Sequence, residues 1–433
     1  MTLAITTELI SFLLLTYISV SSLRLLRSPR TSPIPILNFQ LLVVYAFPWV
    51  IEALSGTPDF GAVVNYQYVA SETSLRTLSA LGICAAPVIW THTATRGLLT
   101  TRTTTTETGL LSLITNSMHV KLLLAFAALS PIVLIAFAPD IQIYMTYGPI
   151  LPKVGRQAIH ELSFHAYLNQ FIRYSMLSCF ALIVLIFNGA SRYKWILFLT
   201  LISILGIDCF LHGKRSSFAL AICGVGFSLW FSGAISRKLL IVLGLSTITV
   251  LPLLSYQYQQ YSGRSRNTEW VDIYREIRID FFRDSAHKLS LASIGLGPKN
   301  VKILDYYGES LFIYGTLPIP RAWWPEKPVS YGMSLACAAL NIKRQYLGWG
   351  LTSSLLDESI ANFSLLGVFI GPILIGLILR QSVRFNDPII ALLTTVLCGL
   401  LVMVHLSSCA PMLICWLFAI VLSRKSSRLR QLL

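Results

Sequence analysis

Charge is what this sequence has least of. Only 12% of its 433 residues are Asp, Glu, Lys or Arg, about half the charged fraction of a soluble domain. Acids are scarcest, 19 against 34 Lys plus Arg, which leaves a net charge of +15. Zinc or a disulfide framework finds no support. The eight cysteines, Cys84, Cys179, Cys209, Cys223, Cys337, Cys398, Cys409 and Cys415, mostly lie inside apolar runs and form no CxxC pair or Cys/His spacing. The outer loops assigned below carry no DxD or HExxH pattern, and His160, His165 and His287 are scattered, so no metal is expected. A GxxxxGK[ST] loop is missing too, which excludes a nucleotide-driven pump acting alone.

Apolar sequence is plentiful. Hydrophobic residues make up 55% of the chain and the mean hydropathy is +0.67. The apolar runs are ~17–22 residues long, as helical spans require; barrel strands would be ~10 residues of alternating polarity. Only helices or closed barrels satisfy their backbone in lipid. The sequence therefore predicts an all-α polytopic membrane protein with about eleven transmembrane helices. The run from Leu3 to Val20 lacks a basic leader and is followed by arginines, so it reads as a retained first helix.

The cations give the spans a direction. Clusters at Arg24/Arg27/Arg30, Arg96/Arg102, Arg192/Lys194, Arg237/Lys238, Arg380/Arg384 and the tail Arg424/Lys425/Arg428/Arg430 each follow an odd-numbered span. The positive-inside rule then puts the N-terminus outside and the C-terminus in the cytoplasm. Clusters of this kind explain the positive charge without nucleic acid, which is not expected as a partner. Pro411 marks the least certain span boundary. Residues 1–256 hold spans one to eight with short loops, residues 257–363 form a large external loop, and residues 364–433 hold spans nine to eleven and the basic tail.

A loop of that length is functional or disordered. Its aromatics, among them Trp270, Tyr274, Phe281, Tyr314, Trp323, Trp324 and Trp349, argue for an ordered cap. Val271, Tyr274, Phe281 and Phe282 share one helical face, and Asp272–Arg275 and Asp280–Arg283 are spaced as local pairs. Its many cations, Arg278, Arg283 and Lys288 among them, read as a solvated surface balanced by acids.

Three outer sites are less bland. His212-Gly213-Lys214-Arg215-Ser216 is a tight turn whose cations either snorkel to the interface or hold an anion. In Pro318-Ile319-Pro320-Arg321-Ala322-Trp323-Trp324-Pro325, prolines stiffen the backbone that presents Arg321. A stiff segment favours a guanidinium fork on a diphosphate. Trp323 and Trp324 either stack on sugar rings or anchor at the interface. The third site, Thr352 to Phe363, runs towards span nine and carries the acid pair Asp357–Glu358. A carboxylate there is either a general base for a hydroxyl or a helix N-terminal acid that complements the macrodipole.

In order along the chain, GKRS, LPIPRAWWPEKP and GLTSSLLDESIANFSLLGVFIG resemble the Wzy-type O-antigen and oligosaccharide repeat-unit polymerases, most firmly from about Leu211 to Gly376. That family often carries Gly-Glu-x-Tyr-x-Asn-Phe-Gly near the last motif. Here Asp357, Ile360 and Ser364 depart from it, while Glu358, Asn362 and Phe363 keep it.

The resemblance implies a GT-C-like membrane fold and a metal-independent, cofactor-free glycosyl transfer at the periplasmic face of a bacterial inner membrane. A glycan would pass from a polyprenyl diphosphate to a hydroxyl of a lipid-linked repeat unit, with a chain-length regulator as a possible protein partner. Arg215 and Arg321 would grip the diphosphate, with Lys214 and Arg278 assisting. Glu358 would activate the acceptor, and Asn362, Trp323 and Trp324 would bind substrate. The alternatives are an O-antigen ligase, which passes the glycan to lipid A–core, and a transporter or flippase of lipid-linked sugars. Apart from Glu8 and Glu52 the spans carry almost no acids, which weighs against ion coupling.

Overall fold

The computed structural model describes residues 2–27, 32–96, 117–136, 175–186, 193–212, 215–246, 270–316 and 319–432, apart from isolated positions (177, 184, 320–322, 325, 346, 348, 349 and 386). Every regular element among them is helical. Five stretches are long and apolar enough to cross a membrane: Leu3–Leu26, Ile34–Ser55, Thr73–Thr95, Leu355–Ser382 and Leu406–Arg424. The all-helical, membrane-type reading of the sequence therefore holds.

The chain divides into two compact units. One joins Met1–Thr103, Glu269–Arg384 and Leu397–Leu417; the other joins Thr104–Thr268, Phe385–Val396 and Phe418–Leu433.

The first unit opens with α1 (Thr2–Ser22) and α2 (Ile34–Ser55). Pro48 explains the shape of α2. It has no N–H to offer the carbonyl four residues back, and the turn before it, Leu42–Ala46, widens into a π-turn. The carbonyl left over, Val44 O, accepts the backbone N–H of Arg283 at 3.1 Å. Then come α3 (Val64–Ser71) and α4 (Thr73–Thr95).

In the second unit lie α5 (Ser117–Ala136), α6 (Lys194–His212) and α7 (Arg215–Phe231). Asp208 of α6 is fully buried and accepts a hydrogen bond from Ser175 at 3.0 Å. It adds a buried acid to a long apolar helix, one that the sequence reading passed over.

The long loop returns the chain to the first unit as α8 (Trp270–Phe281), α9 (Asp284–Leu291), α10 (Glu309–Thr316), α11 (Tyr331–Ala339) and α12 (Leu355–Phe363). Of these, α9, α11 and α12 share a core with α3, its preceding turn and the start of α4: Phe60, Tyr66, Val69 and Leu75 pack with Leu289, Leu291, Leu335 and Ile360. Each such aliphatic or aromatic side chain contributes about 1.5–3 kcal/mol on leaving water.

After α12 the backbone breaks. Ser364 takes a positive φ of 57°, and α13 (Gly367–Phe385) starts afresh. A Cβ at Gly367 would sit 2.1 Å from Ser359 O, and one at Gly371 would sit 2.6 Å from Ser359 Oγ. The two glycines let α13 lie directly on α12, and Ser359 Oγ donates to Gly367 O at 2.8 Å. The acid-bearing segment is thus a short helix of its own, packed on the next one. α14 (Pro388–Met403) and α15 (Leu406–Leu432) complete the chain. The break between them falls at Val404–His405, while Pro411 lies inside α15.

Three loop cations expected on a solvated surface are instead buried: Arg278, Arg283 and Lys288. The apolar face read into residues 271–282 does form α8, with Tyr274 and Phe281 buried, but Arg278 sits on that same face. Arg278 donates to Glu52 Oε1 at 2.8 and 2.9 Å and pairs with Asp284. Lys288 reaches Asp284 at 3.0 Å and Glu8 at 3.3 Å, and Glu8 also holds Arg76. Three acids and three cations close a neutral network that ties α8 and α9 to α1, α2 and α4. Arg283 reaches further: its Nε donates to Met403 O at 2.9 Å and its Nη1 to Phe282 O at 3.0 Å. Long aliphatic stems let such side chains lie among apolar neighbours once their heads are satisfied.

Burial alone pushes the Asp284 carboxyl up, but Arg278 and Lys288 outweigh it and hold it below the usual range. Burial likewise pushes Lys288 down, and Asp284 and Glu8 outweigh it, so the amine stays charged. Next to them lies His287, with Ser79 Oγ 2.9 Å from its Nδ1, where the pull of Asp284 is too small to offset burial. Burial lowers it to about 3 and keeps it neutral.

Candidate functional site

The acid pair at the start of α12 splits into two roles. Asp357 is the third residue of a capping box. Its Oδ2 accepts from the Ser354 backbone N–H at 2.8 Å, and its own N–H donates to Ser354 Oγ at 3.2 Å. Tyr45, on the π-turn of α2, donates to the same Ser354 Oγ at 2.6 Å. Asp357 therefore starts the helix, the bland role weighed for this pair.

Glu358 points into a different surrounding. It is 1% exposed, yet no cation among the described residues pairs with it. Its charge rests on three neutral donors. Ser310 Oγ and Tyr314 Oη, one turn apart on α10, donate to Oε1 at 2.6 and 2.5 Å. The Leu406 backbone N–H, at the start of α15, donates to Oε2 at 2.8 Å. Burial, then the Glu358 charge, hold the Tyr314 phenol well above its usual range despite a backbone hydrogen bond from Ser407. Tyr314 therefore keeps its proton and stays a hydrogen-bond donor to the carboxylate.

Asn362, one turn beyond Glu358, completes the cluster. Its Nδ2 donates to Ser310 Oγ and to Glu358 O, both at 2.7 Å. Those two bonds fix the amide, and its Oδ1 is buried with no hydrogen-bond partner among the described residues. His405 lies beside Leu406, with Nε2 3.0 Å from Ser408 Oγ. Tyr314 and Leu406 are half-buried and Ser408 is exposed, so Glu358 lies a single layer of side chains below the surface.

Two aromatic residues read as substrate contacts sit near α10. Trp324 meets Phe312 edge-on, with centroids 6.3 Å apart, and Trp323 is 82% exposed. Phe312, Ser310 and Tyr314 share α10, so one helix links the exposed aromatics to the buried carboxylate. Arg278 is not in this group: it is 1% exposed, paired with Glu52 and Asp284, and lies 5.8 Å from the Phe60 and Phe282 rings, away from Glu358's partners. Lys214 and Arg321 lie outside the described residues. Arg215 opens α7, but its side chain also lies outside them.

Among the residues that bond Glu358, Ser310 and Tyr314 escaped the sequence reading; Tyr314 counted only as one aromatic of an ordered loop. The available signal was their four-residue spacing in an otherwise apolar Ser-Leu-Phe-Ile-Tyr run, which puts both hydroxyls on one helix face. Chemically, a buried carboxylate with neutral donors and no counter-cation among the described residues is a group set to exchange a proton or to hold a hydrogen-bond donor. Among the described residues, no cluster of His, Cys, Asp and Glu is arranged to hold a metal ion. No family model, curated protein or solved structure matches this chain.

Proposed function

We propose that this membrane protein is a glycosyltransferase that polymerises lipid-linked saccharide repeat units. The observation that carries the reading is Glu358, a buried carboxylate held by Ser310, Tyr314 and Leu406 with no cation paired to it among the described residues. In the proposed reaction Glu358 takes the proton of an acceptor hydroxyl. The freed oxygen forms a bond to the anomeric carbon of the donor glycan. The bond from that carbon to the lipid diphosphate breaks, and the diphosphate leaves with the electron pair. A leaving group of that charge needs cations where the charge develops, and Arg215 and Arg321 are the proposed suppliers.

The finer topology belongs to the same proposal: about eleven spans, the N-terminus and the loop of residues 257–363 outside, and the basic tail in the cytoplasm. A bacterial inner membrane with the site facing the periplasm fits that arrangement.

The test is incubation of the purified protein in lipid nanodiscs with a polyprenyl-diphosphate repeat unit, followed by a gel for ladders. Ladders without any lipid A–core acceptor are expected and distinguish a polymerase from a ligase. Glu358→Gln should lower elongation by about 100-fold or more, the usual scale for a lost general base, while keeping the donor bound through its lipid diphosphate. Arg215→Ala and Arg321→Ala should each abolish it at normal membrane levels. Full-length polymer from all three variants would overturn the assignment.

A further inference from the structure

The hydrogen-bond inventory around Glu358 is one-sided. Among Ser310, Tyr314, Leu406 and Asn362 every donor is already spent: Ser310 and Tyr314 on Glu358 Oε1, Leu406 N–H on Oε2, and both Asn362 amide hydrogens on Ser310 and the Glu358 carbonyl. What remains are acceptors. A carboxylate offers about four lone-pair positions. Oε1 has used both of its own, and Oε2 has used one. Asn362 Oδ1 has used none, although it is buried. A buried acceptor with no partner costs free energy in the empty state. It is retained at a cost that a ligand donor would remove.

We propose that this cluster is a binding site for a neutral, hydroxyl-rich saccharide group, held as a hydrogen-bond donor by Glu358 Oε2 and Asn362 Oδ1. The same inventory disfavours phosphate and diphosphate here, since an anion would meet a carboxylate and an amide oxygen, and Ser310, Tyr314, Leu406 and Asn362 have no donor left to satisfy it. The two oxygens of Glu358 thus have separate tasks. Oε1 is pinned by the two α10 hydroxyls, and Oε2 faces the ligand. This deepens the transferase reading, on which it rests for the word acceptor. It assigns the Glu358 site to the acceptor sugar, with the diphosphate elsewhere.

Binding is measurable without turnover. The full-length protein in nanodiscs is titrated with a panel of neutral methyl glycosides and, separately, with inorganic pyrophosphate. Intrinsic tryptophan fluorescence and calorimetry provide the readouts. At least one glycoside should bind. Glu358→Gln, which removes the charge that strengthens the acceptor, and Asn362→Leu should each weaken it tenfold or more. Neither variant should weaken pyrophosphate binding, and the glycoside and pyrophosphate should not compete.

Thermal unfolding of each variant guards against a folding defect. Should Asn362→Leu fail to fold, Glu358→Gln alone decides, being isosteric. Three results would each overturn the proposal: no glycoside bound by the native protein, glycoside affinity unchanged in the folded variants, or displacement of the glycoside by pyrophosphate. Tenfold tighter binding of glucosamine than of its N-acetyl form would also overturn it, by moving the site to cationic ligands. A protein that binds glycosides as expected but forms no ladder would refute the polymerase and leave this site standing.

Discussion

The backbone N–H of Arg283 donates to Val44 O at 3.1 Å, the carbonyl that Pro48 leaves without its helical partner. One proline in α2 thereby creates an attachment point for the start of α9, more than two hundred residues later. Pro48→Ala restores a competing N–H inside α2. The Arg283 amide should then exchange with solvent faster by about tenfold, the equivalent of about 1.4 kcal/mol of lost protection. Hydrogen exchange with mass spectrometry on the peptide that contains Arg283 checks this; unchanged protection would refute the link.

The Arg278–Glu52 contact lends itself to a double-mutant cycle. Both groups are fully buried, and Glu52 accepts two bonds from the guanidinium. Arg278→Met alone leaves two buried acids short of a cation and should cost about 3–5 kcal/mol. Adding Glu52→Gln to it should recover at least 1 kcal/mol of that loss. Denaturant unfolding of the four proteins supplies the numbers, and strictly additive losses would mean that the pair does not interact.

Acid should destabilise the protein earlier than its carboxylates alone would. His287 is lowered to about 3 by burial, against an ordinary value of about 6.5. Between those values the unfolded chain binds a proton that the folded chain refuses. Stability from this group is complete above about pH 6.5 and falls by about 1.4 kcal/mol per unit as the pH drops towards 3. Asp284 adds its own loss only below about pH 4, because its folded value is depressed beneath an ordinary value of about 3.9. Melting temperatures of wild type and His287→Gln between pH 7 and 4.5 test the ordering: the variant should lose less over that interval.

Ser364 is a departure from the glycine of the resembling motif, and the structure gives that position a meaning. Its φ of 57° and ψ of −144° lie where a side chain is strained and glycine is not. Ser364→Gly should raise unfolding free energy by about 0.5–1 kcal/mol, the relief of strain less the added freedom of the unfolded chain. A lower melting temperature in Ser364→Gly would mean that the hydroxyl, not the turn, decides this site.

Local pattern was enough for the features written in neighbouring residues. Run length and sparse charge identify apolar helices. The periodicity of residues 271–282 identifies α8, and the i, i+4 spacing places Glu358 and Asn362 on one face of α12. Long-range pairing was decided only in three dimensions. Arg278 finds Glu52 across 226 positions of sequence, and no periodicity marks an arginine for burial when its partner lies in another helix. Ser310 and Tyr314 became part of the site because α10 packs on α12, which their own apolar run does not announce. The division of labour between Asp357 and Glu358 has the same origin. Two adjacent carboxylates look alike in sequence, and they part because successive helix positions point about 100° apart. One side chain meets Ser354 at its own helix start, and the other meets the hydroxyls of a helix that only folding brings near.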